Sequence, residues 1–158
     1  MSGILYKMAT GKQLWDLSQA RLNSAKTLLE ASDWDAAAYM MGYALETALK
    51  AASCKSLNLS AYPEKTGSKQ LDNCFMTHKF DQLLVVSGCS DVFEASAPPE
   101  TSGKWSEFLQ FYPGEWVTMR YNPEAIIHYN SITVSRIYEI LYAAKDSIIN
   151  TIKAKQKW

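Results

Sequence analysis

Residues 36–52, AAAYMMGYALETALKAA, constrain the fold more than any other part of this chain. Alanine is the best intrinsic helix former, and its small side chain lets a second helix approach closely. Glu46 and Lys50 sit four apart, so they share one helix face in the favourable Glu-then-Lys order. The segment therefore predicts a central helix of an all-helical domain, apolar around most of its surface with one charged spot.

The flanking sequence extends this into an all-α, antiparallel up-and-down bundle of about five helices, formed by residues 1–158 as one domain. Thr10 to Ser32 reads as the first helix, with Leu14, Leu17, Arg21, Ala25 and Leu28 at helical spacing and Leu22 and Leu29 widening the apolar face. Thr10 suits its N-cap, and Ser32-Asp33 breaks it and caps a second helix over Trp34–Ser56. So short a connection favours an antiparallel hairpin. Leu57 to Met76, with Pro63 and Gly67, predicts a long mobile loop. A third helix is expected over Thr77–Ser87, with Phe80, Leu83 and Leu84 inward and Gly88 as its stop. Pro98-Pro99 ends a linker, and Trp105, Phe108, Leu109 and Tyr112 form the stripe of a fourth helix over Ser102–Tyr112. Glu115 to Asn130 reads as irregular. One long last helix is expected from Ser131 to about Lys155, buried through Val134, Ile137, Leu141, Ala144, Ile148 and Ile152.

Charge excludes some functions. Lysine plus arginine equals aspartate plus glutamate, 16 each, so no global field draws nucleic acid, and any such contact needs a local patch. Cys54, Cys74 and Cys89 have no metal-ligand spacing and read as reduced thiols of a cytoplasmic protein. No uncharged apolar run approaches the roughly 18 residues of a membrane span, so no membrane is expected. With two histidines and no partner ligands at suitable spacing, no metal or cofactor is expected.

Arg120 and His128, in RYNPEAIIH, are the sharpest candidates for catalysis. An arginine clamps a phosphate through two parallel hydrogen bonds, and a histidine moves a proton near neutral pH. Two readings stay open: a phosphate site with a proton shuttle, or an arginine paired with a carboxylate such as Glu46 beside a surface histidine. On a continuous helix the two side chains would point roughly 80° apart, at about 100° per residue, so convergence needs an irregular backbone near Pro123. His78, in THKFDQLL, reads as a cap or as a hydrogen-bond partner of a neighbouring helix. Glu46, among apolar neighbours, requires a cation, and Arg120 or Lys50 is the expected one. Trp116 and Tyr121 are candidate stacking platforms for a base; the remaining aromatic residues read as core or dimer contacts.

At these residues the chain resembles the HEPN domain family of small helical proteins. RLNSAKTLLEASDWDAAAYMMGYALETALKA, residues 21–51, is similar to the family's first two helices. THKFDQLL resembles the start of its third, and MRYNP followed by a long helix resembles the Arg-Tyr-Pro corner of one branch. The resemblance implies a five-helix bundle, a homodimer, and a cleft near the Arg-Tyr corner associated with nucleotide or RNA binding. There Arg120 would contact phosphate, Tyr121, His78 and Lys50 would line the cleft, and Glu46 would orient Arg120. Many members are metal-independent ribonucleases, some toxins, using an arginine, four to six intervening residues and a histidine. Arg120 and His128 have seven between them, a departure from that pattern. The Arg-Tyr-Pro branch generally lacks the ribonuclease motif and often accompanies a nucleotidyltransferase-type partner. The leading expectation is a non-catalytic nucleotide- or RNA-associated dimer. The alternatives are a ribonuclease using Arg120 and His128, and a purely structural protein-interaction module.

Overall fold

The computed structural model describes residues 8–63, 66–94, 97–121 and 129–158, with the backbone alone at Arg120. Seven α-helices run through these residues: α1 (Gly11–Glu30), α2 (Trp34–Ser56), α3 (Lys69–Phe75), α4 (Phe80–Val86), α5 (Pro99–Gln110), α6 (Ser131–Tyr138) and α7 (Ile148–Gln156). Among the described residues there is no strand. No helix among them is long and apolar enough to cross a membrane.

Local chemistry sets the ends of α1 and α2 where the sequence predicts them. The Thr10 hydroxyl accepts from the Gln13 N–H at 3.2 Å, and the Gln13 side chain accepts from the Thr10 N–H at 2.9 Å, a reciprocal capping box. Asp33 Oδ1 caps α2 by accepting from the Ala36 N–H at 3.3 Å. The two helices run antiparallel in close register. Ser18 Oγ donates to the Ala44 carbonyl at 2.8 Å, while Gly11 lies against Cys54 at the far end. Ala37, Ala38, Ala44, Ala48, Ala51 and Ala52 are all fully buried, because α2 is covered by α1, α4, α6, α7 and the turn at Trp116. A helix apolar all round is a buried helix, and here it is the central one.

Gly42 is what lets that turn come so close. A Cβ at Gly42 would stand 2.9 Å from Cε3 and Cζ3 of Trp116 and 3.1 Å from Cε1 of Tyr112. Helix propensity alone would make Gly42→Ala stabilising by about 1 kcal/mol. Overpacking against two rigid rings costs about 1–3 kcal/mol. The expected result in urea denaturation is a net loss of about 1 kcal/mol; a gain would show that the rings yield.

Three expectations need correction. The predicted loop Leu57–Met76 contains α3, whose first turn follows Ser68, and Tyr62 Oη ties its end by donating to the Phe75 carbonyl at 2.7 Å. Pro99 opens α5 rather than ending a linker, because proline suits the first helical position, where no N–H is needed. The long last helix is broken. Residues Glu139–Ala143 widen into a π turn, Ala144 takes an extended ψ of 147°, and Ser147 Oγ starts α7 by accepting from the Asn150 N–H. The break is stable because the Asn150 side-chain amide donates to the Ala144 carbonyl at 3.0 Å and to that of Tyr142 at 3.5 Å. Asp146, within the break, pairs with Lys104 of α5. The extra residue of the π turn lets Ile140 and Leu141 both reach the core, beside Val134, Ile137 and Ile152.

The stripe on α1 also differs from the predicted one. Leu14, Trp15, Ser18, Leu22 and Ala25 are buried, while Leu17 and Arg21 are half-buried at the edge. Burial pushes the thiols of Cys54 and Cys89 up from their ordinary pKa, and Cys74 is exposed. All three are unpaired thiols.

Candidate functional site

An aromatic cluster builds the floor beneath the site. Phe80 of α4 stacks on Trp116 with centroids 5.4 Å apart, and Phe108 of α5 stacks on Tyr112 at 4.5 Å. Tyr112 Oη donates to the Ala38 carbonyl at 2.8 Å, and complete burial holds its phenol far above the usual pKa. Trp116 opens a 3-10 turn, Trp116–Arg120, and its indole Nε1 donates to the His78 carbonyl at 2.9 Å. That bond fixes the chain just ahead of α4 against the turn, and so sets where the His78 ring stands.

Three side chains then converge. Glu46, whose side chain is 5% exposed, accepts from Lys50 Nζ at 2.6 Å. Both Glu46 oxygens lie 3.0 Å from His78 Nδ1. A carboxylate on Nδ1 makes that nitrogen the donor and fixes the ring orientation. The opposite nitrogen, Nε2, engages none of the described residues. The His78 side chain is 48% exposed and that of Lys50 16%, so of the two groups on the buried carboxylate His78 is the one that faces solvent. Lys50 Nζ also lies 5.4 Å from the centroid of the Tyr62 ring, a cation–π distance. Burial, followed by the Glu46 charge, raises the Tyr62 phenol well above its ordinary pKa, so that ring stays neutral.

The triad borders a cleft of about 490 Å³ whose walls include Tyr39, Met40, Tyr43, Leu17 and Val117. A second hollow of about 370 Å³, lined by Tyr62, Pro63, Phe75 and Met76, shares Leu14, Lys50 and His78 with the first. Both fall in the size range of small-molecule sites, and both combine apolar walls with few polar groups. Among the described residues, no cluster of three or more His, Cys, Asp or Glu side chains could hold a metal ion.

Against the predicted site residues, the structure brings Glu46, Lys50 and His78 together. His78 caps no helix; it serves as the hydrogen-bond partner of a neighbouring helix, and that partner is Glu46. The cation found on Glu46 is Lys50, one of the two expected. Trp116 is corrected: it is 1% exposed, held edge and face by Phe80, Tyr39 and Tyr112, and offers no stacking face. Tyr121 is 80% exposed at the end of the Trp116 turn. His128 and the Arg120 side chain lie outside the described residues, so neither their convergence nor an Arg120–Glu46 pair belongs to this geometry. Missed by sequence reasoning were the Glu46–His78 bond and the half-buried Tyr39 and Tyr43 along the cleft. The signal for the first was a carboxylate in an apolar helix, which needs more hydrogen-bond donors than one lysine supplies.

No protein-family model, curated protein or solved structure matches the chain.

Proposed function

We propose that this chain is a HEPN-like helical module that binds a nucleotide or RNA, without cleaving it, in the cleft over Glu46, Lys50 and His78. The observation that carries the reading is the convergence of a lysine and a histidine on one buried carboxylate at the mouth of a partly aromatic cleft. Burying Glu46 is unfavourable unless it is fully hydrogen-bonded, and here it is bonded by the two groups that a phosphate would also recruit. The cleft walls at Tyr39 and Tyr43 suit a planar base, which stacks on aromatic side chains. Arg120 closes the 3-10 turn whose first residues, Trp116 and Val117, border the cleft, and this reading gives it a phosphate contact beside Tyr121. Assembly as a homodimer rests on the resemblance of the chain to the HEPN family, and a nucleotidyltransferase-type protein as partner on that of residues 119–123 to the Arg-Tyr-Pro corner.

Calorimetric titration with ATP and with short single-stranded RNAs tests the reading. Binding to at least one of them is expected, with the RNA recovered intact. His78→Ala should weaken binding about tenfold or more, the loss of the charge-assisted hydrogen bond that Nε2–H of the imidazolium form gives the phosphate while Nδ1–H stays on Glu46. No binding to any of them, or affinities equal in wild type, His78→Ala and Arg120→Ala, would sink the proposal. Cleavage of the RNA that disappears in His128→Ala would replace it with the ribonuclease reading.

A further inference from the structure

The two hollows flanking Lys50 and His78 are not equivalent to one large cavity. Each has its own aromatic wall, and the shared rim is the polar ridge between them. Lys50 leans over Tyr62 of the second hollow, at 5.4 Å from its ring. His78 is fastened by its carbonyl to Trp116, under the first cleft. The ridge is thus tied to both walls: Lys50 and His78 border both hollows, and the Glu46 carboxylate that they share is buried.

We infer that the ligand of this site is a dinucleotide step of single-stranded nucleic acid, with its phosphodiester on the Lys50–His78 ridge and one base in each hollow. This rests on the nucleotide-binding reading above and names the unit that the site takes. A lone phosphate would use the ridge and leave both apolar hollows to water. A mononucleotide would fill one and leave the other. Two bases on opposite sides of a ridge must be splayed apart, which single strands permit and a paired, stacked duplex does not.

A third hollow beside His78 does not compete. Its lining mixes Asp72 and Glu115 with Lys79, so carboxylates face any anion that enters there. Among the described residues that line the second hollow, Lys50 and His78 of the ridge carry the charge, and Phe75, Met76 and Pro63 make the wall. Met76 is 58% exposed, a large apolar side chain in water until a partner covers it. Phe75 meets Tyr62 edge-on at 5.7 Å; Tyr62 itself is buried with Lys50 over its ring, so Phe75 and Met76 are the side chains that a base in this hollow would meet.

The experiment compares adenosine monophosphate, the dinucleotide adenylyl-adenosine, and its methylphosphonate analogue, which keeps both bases and removes the charge. Adenylyl-adenosine should bind about tenfold or more tighter than the monophosphate, since each stacked base contributes about that factor. The analogue should bind about tenfold more weakly than its charged parent. Met76→Ala, at an exposed position, should weaken the dinucleotide, which needs both hollows, more than the monophosphate, which needs one. Phe75→Ala should do the same more strongly. Equal affinities for monophosphate and dinucleotide would overturn the two-hollow inference and leave the nucleotide site standing. Equal affinities for the dinucleotide and its neutral analogue would overturn the placement of the phosphodiester on the ridge. Binding of neither would overturn this inference and the reading beneath it together.

Discussion

Trp116→Ala should lower the stability of the protein by about 3–5 kcal/mol, measured by urea denaturation followed by far-ultraviolet circular dichroism. Trp116 is 1% exposed and fits against Gly42, Phe80, Tyr39 and Tyr112, so its removal leaves a cavity walled by rigid rings and a helix backbone. Such a wall collapses poorly, which places the effect toward the upper end of the range. The substitution also releases the His78 carbonyl from the indole N–H. Trp116→Phe separates the two roles. It retains most of the packing and loses the hydrogen bond, for about 1 kcal/mol from that bond, while ligand affinity should fall with the freed His78. A loss below about 1 kcal/mol for Trp116→Ala would mean that this turn does not hold the core together.

Glu46→Ala should destabilise by about 3 kcal/mol, near the lower end for breaking a buried ion pair, because His78 and part of Lys50 reach water. The loss comes from leaving Lys50 without its carboxylate inside an apolar setting. Replacing the pair together has the opposite sign. Glu46→Leu combined with Lys50→Met removes both charges and keeps volume, so stability should return to wild type or exceed it. Nucleotide binding should be absent in that double variant. Stability and binding then move in opposite directions, as expected if the charged spot on α2 serves a ligand. A double variant as unstable as Glu46→Ala would instead make the pair a structural requirement.

The parts of the fold legible in the sequence are those fixed by neighbours in the chain. Thr10 and Gln13 are three apart, Asp33 follows a turn, and Glu46 precedes Lys50 by four, so caps and pair are local facts. The break after Ala143 was not legible. Leu141, Ala144 and Ile148 continue a helical period, and Ala144 to Ser147 contain no glycine or proline. What stabilises the break is an Asn150 amide folding back on the Tyr142 and Ala144 carbonyls and a Lys104–Asp146 pair from another helix. Neither is visible before the chain is folded. The start of α5 did have a local sign, since the residue before a proline avoids the helical region and a proline suits the first helical position, which together select Pro99.

The site divides along the same line. The need of Glu46 for a cation could be read from its apolar neighbours, and Lys50 was in reach on the same face. The His78 bond could not, since the two residues are 32 apart and meet through the packing of α4 and the Trp116 turn against α2. Trp116 has the composition of a stacking platform, yet Gly42 opens a slot in α2 that buries it. Aromatic side chains that border a cleft are set apart from those that form its floor only by such packing.

The most direct test of the ligand site is a long-range proton–nitrogen spectrum of the histidine rings, with His78 assigned by its loss in His78→Gln. In the free protein Nδ1 of His78 should carry the proton, held by Glu46. On titration with adenosine monophosphate or a short RNA, the His78 Nε2 resonance should move and saturate with the binding isotherm, while Nδ1 stays protonated. A His78 ring whose two nitrogens remain unmoved while nucleotide binding saturates, or in the presence of millimolar nucleotide without binding, would contradict a site at Glu46, Lys50 and His78.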